Sequence, residues 1–269
     1  MTIVVNVPIE NSLDSLGCRK AGQKIISEFP EKYFSENNKE IEKESISFKE
    51  ISLDGIDVNS VHDLLDKEIF NIFHLNNFKE KLIFLGGDHS LTYYSALSFF
   101  RQCNEVNEKP FLIIFDAHAD CKKEFNGNFS NISWTRGIIK EGFPSENIIF
   151  VGLRNLTKEE NEFLSDNNIR CYMMKDLTEF QEICDIIMEL ANKSKIYISI
   201  DIDVVDAAFV PGTARPESGG MTSRQLVYFL HRLNILKGVS ALDIVEINPD
   251  KDFKDVTLNL GIKILGEII

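Results

Sequence analysis

The feature that most constrains this chain is a set of short, almost uninterrupted apolar runs: Ile3 to Val7, Leu82 to Leu85, Phe111 to Phe115, Ile148 to Val151, Ile196 to Ile200 and Val239 to Val245. Runs of this kind, rich in Ile, Val and Phe and lacking a polar alternation, read as strands buried on both faces, the habit of parallel sheets. Between them stand segments with helical spacing, at Val61 to Phe73, Leu91 to Phe100, Glu159 to Leu164, Phe180 to Leu190 and Ser223 to Leu236. Thr222 is placed to cap the last of these. Strands that alternate with helices predict an α/β fold. The densely charged stretch Glu36 to Lys49 interrupts the pattern and reads as a solvated excursion before a strand-like Phe48 to Leu53. No repeat or low-complexity tract divides the 269 residues, so one domain over residues 1–269 is expected.

Composition narrows the partners. A formal net charge of −13 without clustered Lys and Arg excludes a nucleic-acid role and favours a small cationic substrate. The five cysteines, Cys18, Cys103, Cys121, Cys171 and Cys184, form no CxxC pair, which fits reduced thiols and no zinc knuckle. The N-terminus lacks a basic region followed by a long apolar run, and no stretch approaches the ~18 consecutive apolar residues of a membrane span. A cytoplasmic protein without membrane contact is expected.

Three polar motifs stand directly after predicted strands, where open α/β sheets place their ligands. The first, Gly86-Gly87-Asp88-His89-Ser90, puts an imidazole after a sharp turn. In the second, Asp116-Ala117-His118-Ala119-Asp120, an extended backbone would set the two carboxylates and the imidazole on one face and the alanines on the other. The third repeats the device with Asp201 and Asp203 inside Ser199-Ile200-Asp201-Ile202-Asp203-Val204-Val205-Asp206. Four buried aspartates repel one another unless cations neutralise them, and two divalent ions suffice. Carboxylate and imidazole donors suit Mn2+ or a similar ion, and a pair of such ions generates hydroxide from water near neutral pH. Hydrolysis by a two-metal site is the implied chemistry.

These three motifs, in this order, resemble the ureohydrolase family of arginases, agmatinases and formimidoylglutamases, and the likeness continues through Pro211-Gly212-Thr213, Pro216 and Gly219-Gly220-Met221-Thr222. The resemblance implies one three-layer α/β domain with a mostly parallel eight-stranded sheet, assembled as homo-trimers or homo-hexamers. It implies that His89, Asp116, Asp120 and Asp201 hold one Mn2+ and that Asp116, His118, Asp201 and Asp203 hold the other. Glu246 in Leu242-Asp243-Ile244-Val245-Glu246 matches the glutamate that grips the guanidinium or amidine of the substrate. Asn131 stands where many arginases and agmatinases carry a proton-shuttle histidine, and an amide cannot take up and return a proton near neutral pH. Asn155, Leu156 and Thr157 follow Gly152-Leu153-Arg154 in place of the aspartate-rich stretch of arginases, which points to the agmatinase branch. Formimidoylglutamase or arginase activity stays open, with Arg154 and Arg215 as candidate carboxylate partners, and so does a metal-binding protein without turnover because of Asn131. Among other residues, His62, His74 and His231 read as structural or exposed, Trp134 as a core anchor, and Cys121 as no nucleophile for want of an activating histidine.

Overall fold

The computed structural model describes residues 2–56, 58–123 and 129–269. Its strands are β1 (Thr2–Val7), β2 (Lys32–Phe34), β3 (Glu40–Glu42), β4 (Ile46–Glu50), β5 (Lys81–Gly86), β6 (Pro110–Phe115), β7 (Ile148–Leu153), β8 (Arg170–Met173), β9 (Lys195–Asp201) and β10 (Val239–Val245). Its helices are α1 (Ala21–Glu28), α2 (Val58–Asn76), α3 (Leu91–Glu105), α4 (Trp134–Lys140), α5 (Lys158–Asp166), α6 (Phe180–Ala191), α7 (Ser223–Leu233) and α8 (Val256–Ile268). Eight strands form one sheet in the order β4-β1-β5-β10-β9-β6-β7-β8, every neighbouring pair parallel.

Each strand of the sheet alternates its side chains between two cores, as the pleat demands. Val4, Ile83, Ile113 and Ile198 pack against α1, α6, α7 and α8 through Ile25, Ile187, Leu230 and Ile264. Val5, Phe84 and Leu112 face α2, α3, α4 and α5, which supply Ile69, Leu97, Ile138 and Leu164. The result is the expected three-layer α/β arrangement around a parallel sheet. Thr222 caps α7 as predicted, its hydroxyl accepting from the Gln225 N–H while the Gln225 side chain accepts from the Thr222 N–H.

Three local expectations need correction. The charged stretch Glu36 to Lys49 contains β3 and most of β4, and β4 runs over Ile46–Glu50 rather than Phe48 to Leu53. Ile41 and Ile46 provide enough buried apolar area to hold it down. The short antiparallel hairpin β2–β3 is further anchored by the buried Glu267 carboxylate, which accepts from the Tyr33 hydroxyl at 2.8 Å and the Glu36 N–H at 3.1 Å. The helix predicted to reach Leu236 ends at Leu233. The edge strand β8 carried no apolar run that could announce it. Among the described residues, no helix is long and apolar enough to cross a membrane.

Candidate metal centre

The site gathers at the C-terminal ends of β5, β10, β9 and β6, four consecutive strands of the sheet. His89 follows β5, Asp116 and Asp120 follow β6, Asp201 ends β9, and Glu246 follows β10. The backbone at these ends is not the extended chain predicted for the second and third motifs. Strand β6 stops at Phe115, and Asp120 takes a left-handed φ of 46°. Past β9, residues Ile202–Val204 make one 3-10 turn, with the Asp201 carboxylate accepting from the Asp203 N–H at 2.9 Å. Capping and bends, not strand alternation, therefore turn these carboxylates together. Glu246 is likewise left-handed, at φ 63°. Non-glycine residues held in this region are strained and persist where surrounding structure fixes them, commonly at functional sites.

Two clusters result. His89, Asp116, Asp120 and Asp201 bring one ligand atom each within 4.8 Å of one another, and Asp116, His118 and Asp203 do the same. His89 Nδ1 lies 2.9 Å from Asp120 Oδ2 and 3.2 Å from both Asp116 Oδ2 and Asp201 Oδ2. His118 Nδ1 lies 3.0 Å from Asp203 Oδ2.

The donor set fits metal ions on a direct observation. His89 Nδ1 and Asp116 Oδ2 are buried and lie 3.2 Å apart without a well-formed hydrogen bond, the arrangement of donors turned toward a shared cation. The other face of each ring is already engaged. His89 Nε2 is 3.1 Å from the Ser199 hydroxyl, which donates to Asp243 Oδ1 at 2.7 Å. His118 Nε2 is 3.3 Å from Glu217 Oε1. With a cation bound, such outer partners would keep the ring proton on Nε2 and turn Nδ1 as a lone pair toward the ion.

Electrostatics agree. Burial pushes Asp116 and Asp201 above the usual carboxylate range, and neighbouring aspartates add to the effect. Burial alone would lower His118, but its hydrogen bonds to Asp116 and Asp203 outweigh this and push it up to about 12. Asp203 is opposed by burial too, yet the hydrogen bond and charge of His118 hold it below its ordinary value. The cluster thus draws positive charge to itself.

Next to the clusters lies a small cleft lined by His118, Asp120, Asn131, Asp201, Asp203, Arg215 and Glu246. Glu246 is clamped: its N–H donates to Gly87 O at 2.8 Å, and its carboxylate accepts from the His89 N–H at 2.9 Å and the Ser15 hydroxyl at 3.1 Å. A Cβ on Gly87 would come within 1.9 Å of Ile9 O, so only glycine allows this approach. Burial, then the charge of Asp88, pushes the Glu246 carboxyl up to about 8, so a cationic group beside it is favoured. Asn131 is buried and donates to the Ser15 hydroxyl at 3.3 Å, a supporting role for the Ser15–Glu246 contact.

All the residues predicted for the site come to this one region. Sequence reasoning missed Ser15, Ser199, Glu217 and Asp243. Asp243 carried a legible signal, a charged residue in the middle of an apolar run, whereas Ser15 and Glu217 sit in loops with none. Trp134 is fully buried, packs against the His89 ring at a 45° tilt with centroids 4.8 Å apart and donates to Asp120 at 3.1 Å. Cys121 is buried and its thiol is pushed upward by burial, so it offers no nucleophile. His62, His74 and His231 lie away from the clusters, paired with Tyr94, Glu105 and Glu267.

A model of the arginase family matches residues 1–269. Arginase of Staphylococcus aureus (strain MRSA252) is 28% identical over 229 residues, covering 78% of this chain and 73% of the relative. Arginase 1, mitochondrial, of Oryza sativa subsp. indica is 32% identical over 186 residues, 68% of this chain, and the match spans about half of that relative, 53%. The crystal structure of formimidoylglutamase from Bacillus subtilis superposes with a TM-score of 0.85 at 21% identity, covering 99% of this chain and 85% of that one. With its whole length matched and the fold shared, the chain belongs to the arginase family.

Proposed function

We propose that this protein hydrolyses a C–N bond of a linear guanidine or amidine at a binuclear metal site. The observation that carries the reading is the buried pair His89 Nδ1 and Asp116 Oδ2, without a well-formed hydrogen bond, between two ligand clusters beside a cleft that ends on Glu246. His89, Asp116, Asp120 and Asp201 would hold one ion, and Asp116, His118, Asp203 and, by the resemblance, Asp201 the other. Mn2+ is supported by the oxygen and nitrogen donors. Two such ions supply Lewis acidity and a nucleophilic water near neutral pH.

The chain's own residues do the rest. The Glu246 carboxylate, fixed by the His89 N–H and the Ser15 hydroxyl, holds the planar cation so that its central carbon faces the clusters. Asn131 keeps Ser15 in place and transfers no proton. The lack of aspartates at Asn155, Leu156 and Thr157 speaks against a site that holds the α-amino group of free arginine, and the expectation of agmatine rests on that same lack. Asn155 instead donates to Glu217, the partner of His118.

The test is urea and ammonia release by Mn2+-loaded protein from agmatine, arginine, 4-guanidinobutyrate and formiminoglutamate, with metal content measured on the same sample. Release from any of them supports the reading, and no release at full two-metal loading sinks it. Asn131 favours one alternative, a metal-binding protein without turnover; Asn131→His then confers activity that the native chain lacks.

A further inference from the structure

Of the two arginines that the sequence offers to a carboxylate, Arg154 is spent. Its guanidinium donates to the backbone carbonyls of Asp203 at 2.6 Å, Glu217 and Ser218 at 3.0 Å, and Val204 at 3.3 Å. It ties the loop after β9 to β7. Arg215 is different. It lines the same cleft as Glu246, Asp120 and Asn131, its side chain is 31% exposed, and its guanidinium donates to the surface carboxylate of Asp14 at 2.9 Å. Asp14 is itself 66% exposed, an exchangeable partner.

The backbone fixes Arg215 relative to the cation-binding end. The neighbouring Ala214 N–H donates to the Glu246 carbonyl at 3.3 Å, and Thr213 bridges to Ile247. Lys251 Nζ adds a second cation at this rim, donating to Ala214 O at 2.9 Å and Asp14 O at 3.2 Å. One cleft thus presents a carboxylate, Glu246, and a guanidinium, Arg215, on segments tied to each other by the Ala214–Glu246 and Thr213–Ile247 backbone contacts. A ligand with two cationic ends satisfies Glu246 and meets Arg215 with like charge. A ligand with a cation at one end and an anion at the other satisfies both.

We propose that Arg215 selects substrates whose tail ends in a carboxylate, so that this cleft takes guanidino or amidino acids in preference to guanidino amines. The proposal rests on the hydrolase reading for the cationic end and revises the expectation of agmatine.

Three guanidines of similar length and different tails test it: 4-guanidinobutyrate, butylguanidine and agmatine, assayed for kcat and KM and titrated calorimetrically into the Mn2+-loaded protein. A charge-assisted pair at a remote group predicts that 4-guanidinobutyrate is preferred over butylguanidine by roughly 10- to 100-fold, mostly in KM and in Kd. Arg215→Ala brings the ratio close to one, Arg215→Lys restores part of it, and Arg215→Glu turns the preference toward agmatine. A merely structural arginine would lower kcat for all three alike and leave the ratios in place, which overturns the proposal. Turnover without tail preference also overturns it and leaves the hydrolase reading standing. Tail-selective binding that Arg215→Ala abolishes, without turnover, supports the proposal and removes the hydrolase reading. Neither turnover nor selective binding removes both.

Discussion

The Ser199 hydroxyl donates to Asp243 at 2.7 Å, and because its one proton is spent there, it can only accept from His89. Asp243 also accepts from the Tyr197 hydroxyl at 2.7 Å and the Thr92 hydroxyl at 2.8 Å, so its carboxylate is fully engaged inside the sheet. Asp243→Asn replaces an acceptor by a donor and frees Ser199 to turn. The affinity of the His89 cluster for Mn2+ is expected to fall by about 10- to 100-fold, the usual loss for an outer-partner substitution. Competition against a fluorescent chelator reads this directly, and unchanged affinity would refute it.

The two clusters share Asp116, while Asp203 belongs to only one of them, which makes metal stoichiometry diagnostic. Asp203→Asn is expected to leave one ion bound per chain and Asp116→Asn to leave neither. Elemental analysis after gel filtration decides it. Chelation of the native protein should lower Tm, since ligands that bind only the folded state stabilise it and the buried aspartates lose their counter-charge.

Ser15 supplies Glu246 with a hydroxyl donor from a loop far away in sequence. Ser15→Ala removes one hydrogen bond of about 1 kcal/mol from Glu246, the carboxylate proposed to hold the cation. A rise in KM of about 5- to 10-fold, with little change in kcat, is expected from that loss. An equal fall in kcat would instead place Ser15 in the chemical step.

Glu267 allows a pH prediction away from the metal site. Burial opposes its charge, but bonds from His231 at 2.7 Å, Tyr33 and the Glu36 N–H outweigh burial and hold it below its ordinary value of 4.5. A carboxylate depressed on folding contributes stability that is complete above the unfolded value and is lost as pH falls below it. Glu267→Gln should therefore cost about 2 kcal/mol at neutral pH. Its stability should also decline less than that of the native chain as pH falls from about 5 to about 3. Urea midpoints at several pH values measure both.

Legibility in the sequence followed burial and period. The runs at Phe111 to Phe115 and Val239 to Val245 announced central strands because nothing polar can stand there unpaid by a partner. Edge strand β8, with Arg170 exposed, had no such signature. The metal-ligand candidates were readable because each stands within a few residues of an apolar run, where an unpaired charge needs a reason. Their convergence was predicted from the wrong geometry, since strand alternation stops before Asp116 and the left-handed turn at Asp120 is a property of the folded loop. Ser15, Glu217 and the placement of Arg215 were invisible because loops carry no period, and only the fold decides which of them meet.

Strand β10 lies between β5 and β9, although it is the last strand along the chain. Among the described residues, the two halves of the sheet, β4-β1-β5 and β9-β6-β7-β8, are joined by strand pairing only through it. The gap at the centre of the sheet closes only when residues 239–245, the last strand along the chain, are in place. That insertion is a long-range event of the kind that slows folding. It also brings His89 to the aspartates of β6 and β9 at the same instant as it delivers Asp243 and Glu246. The His89 cluster is thereby complete only with β10 in the sheet, whereas Asp116, His118 and Asp203 all belong to the β9–β6 half.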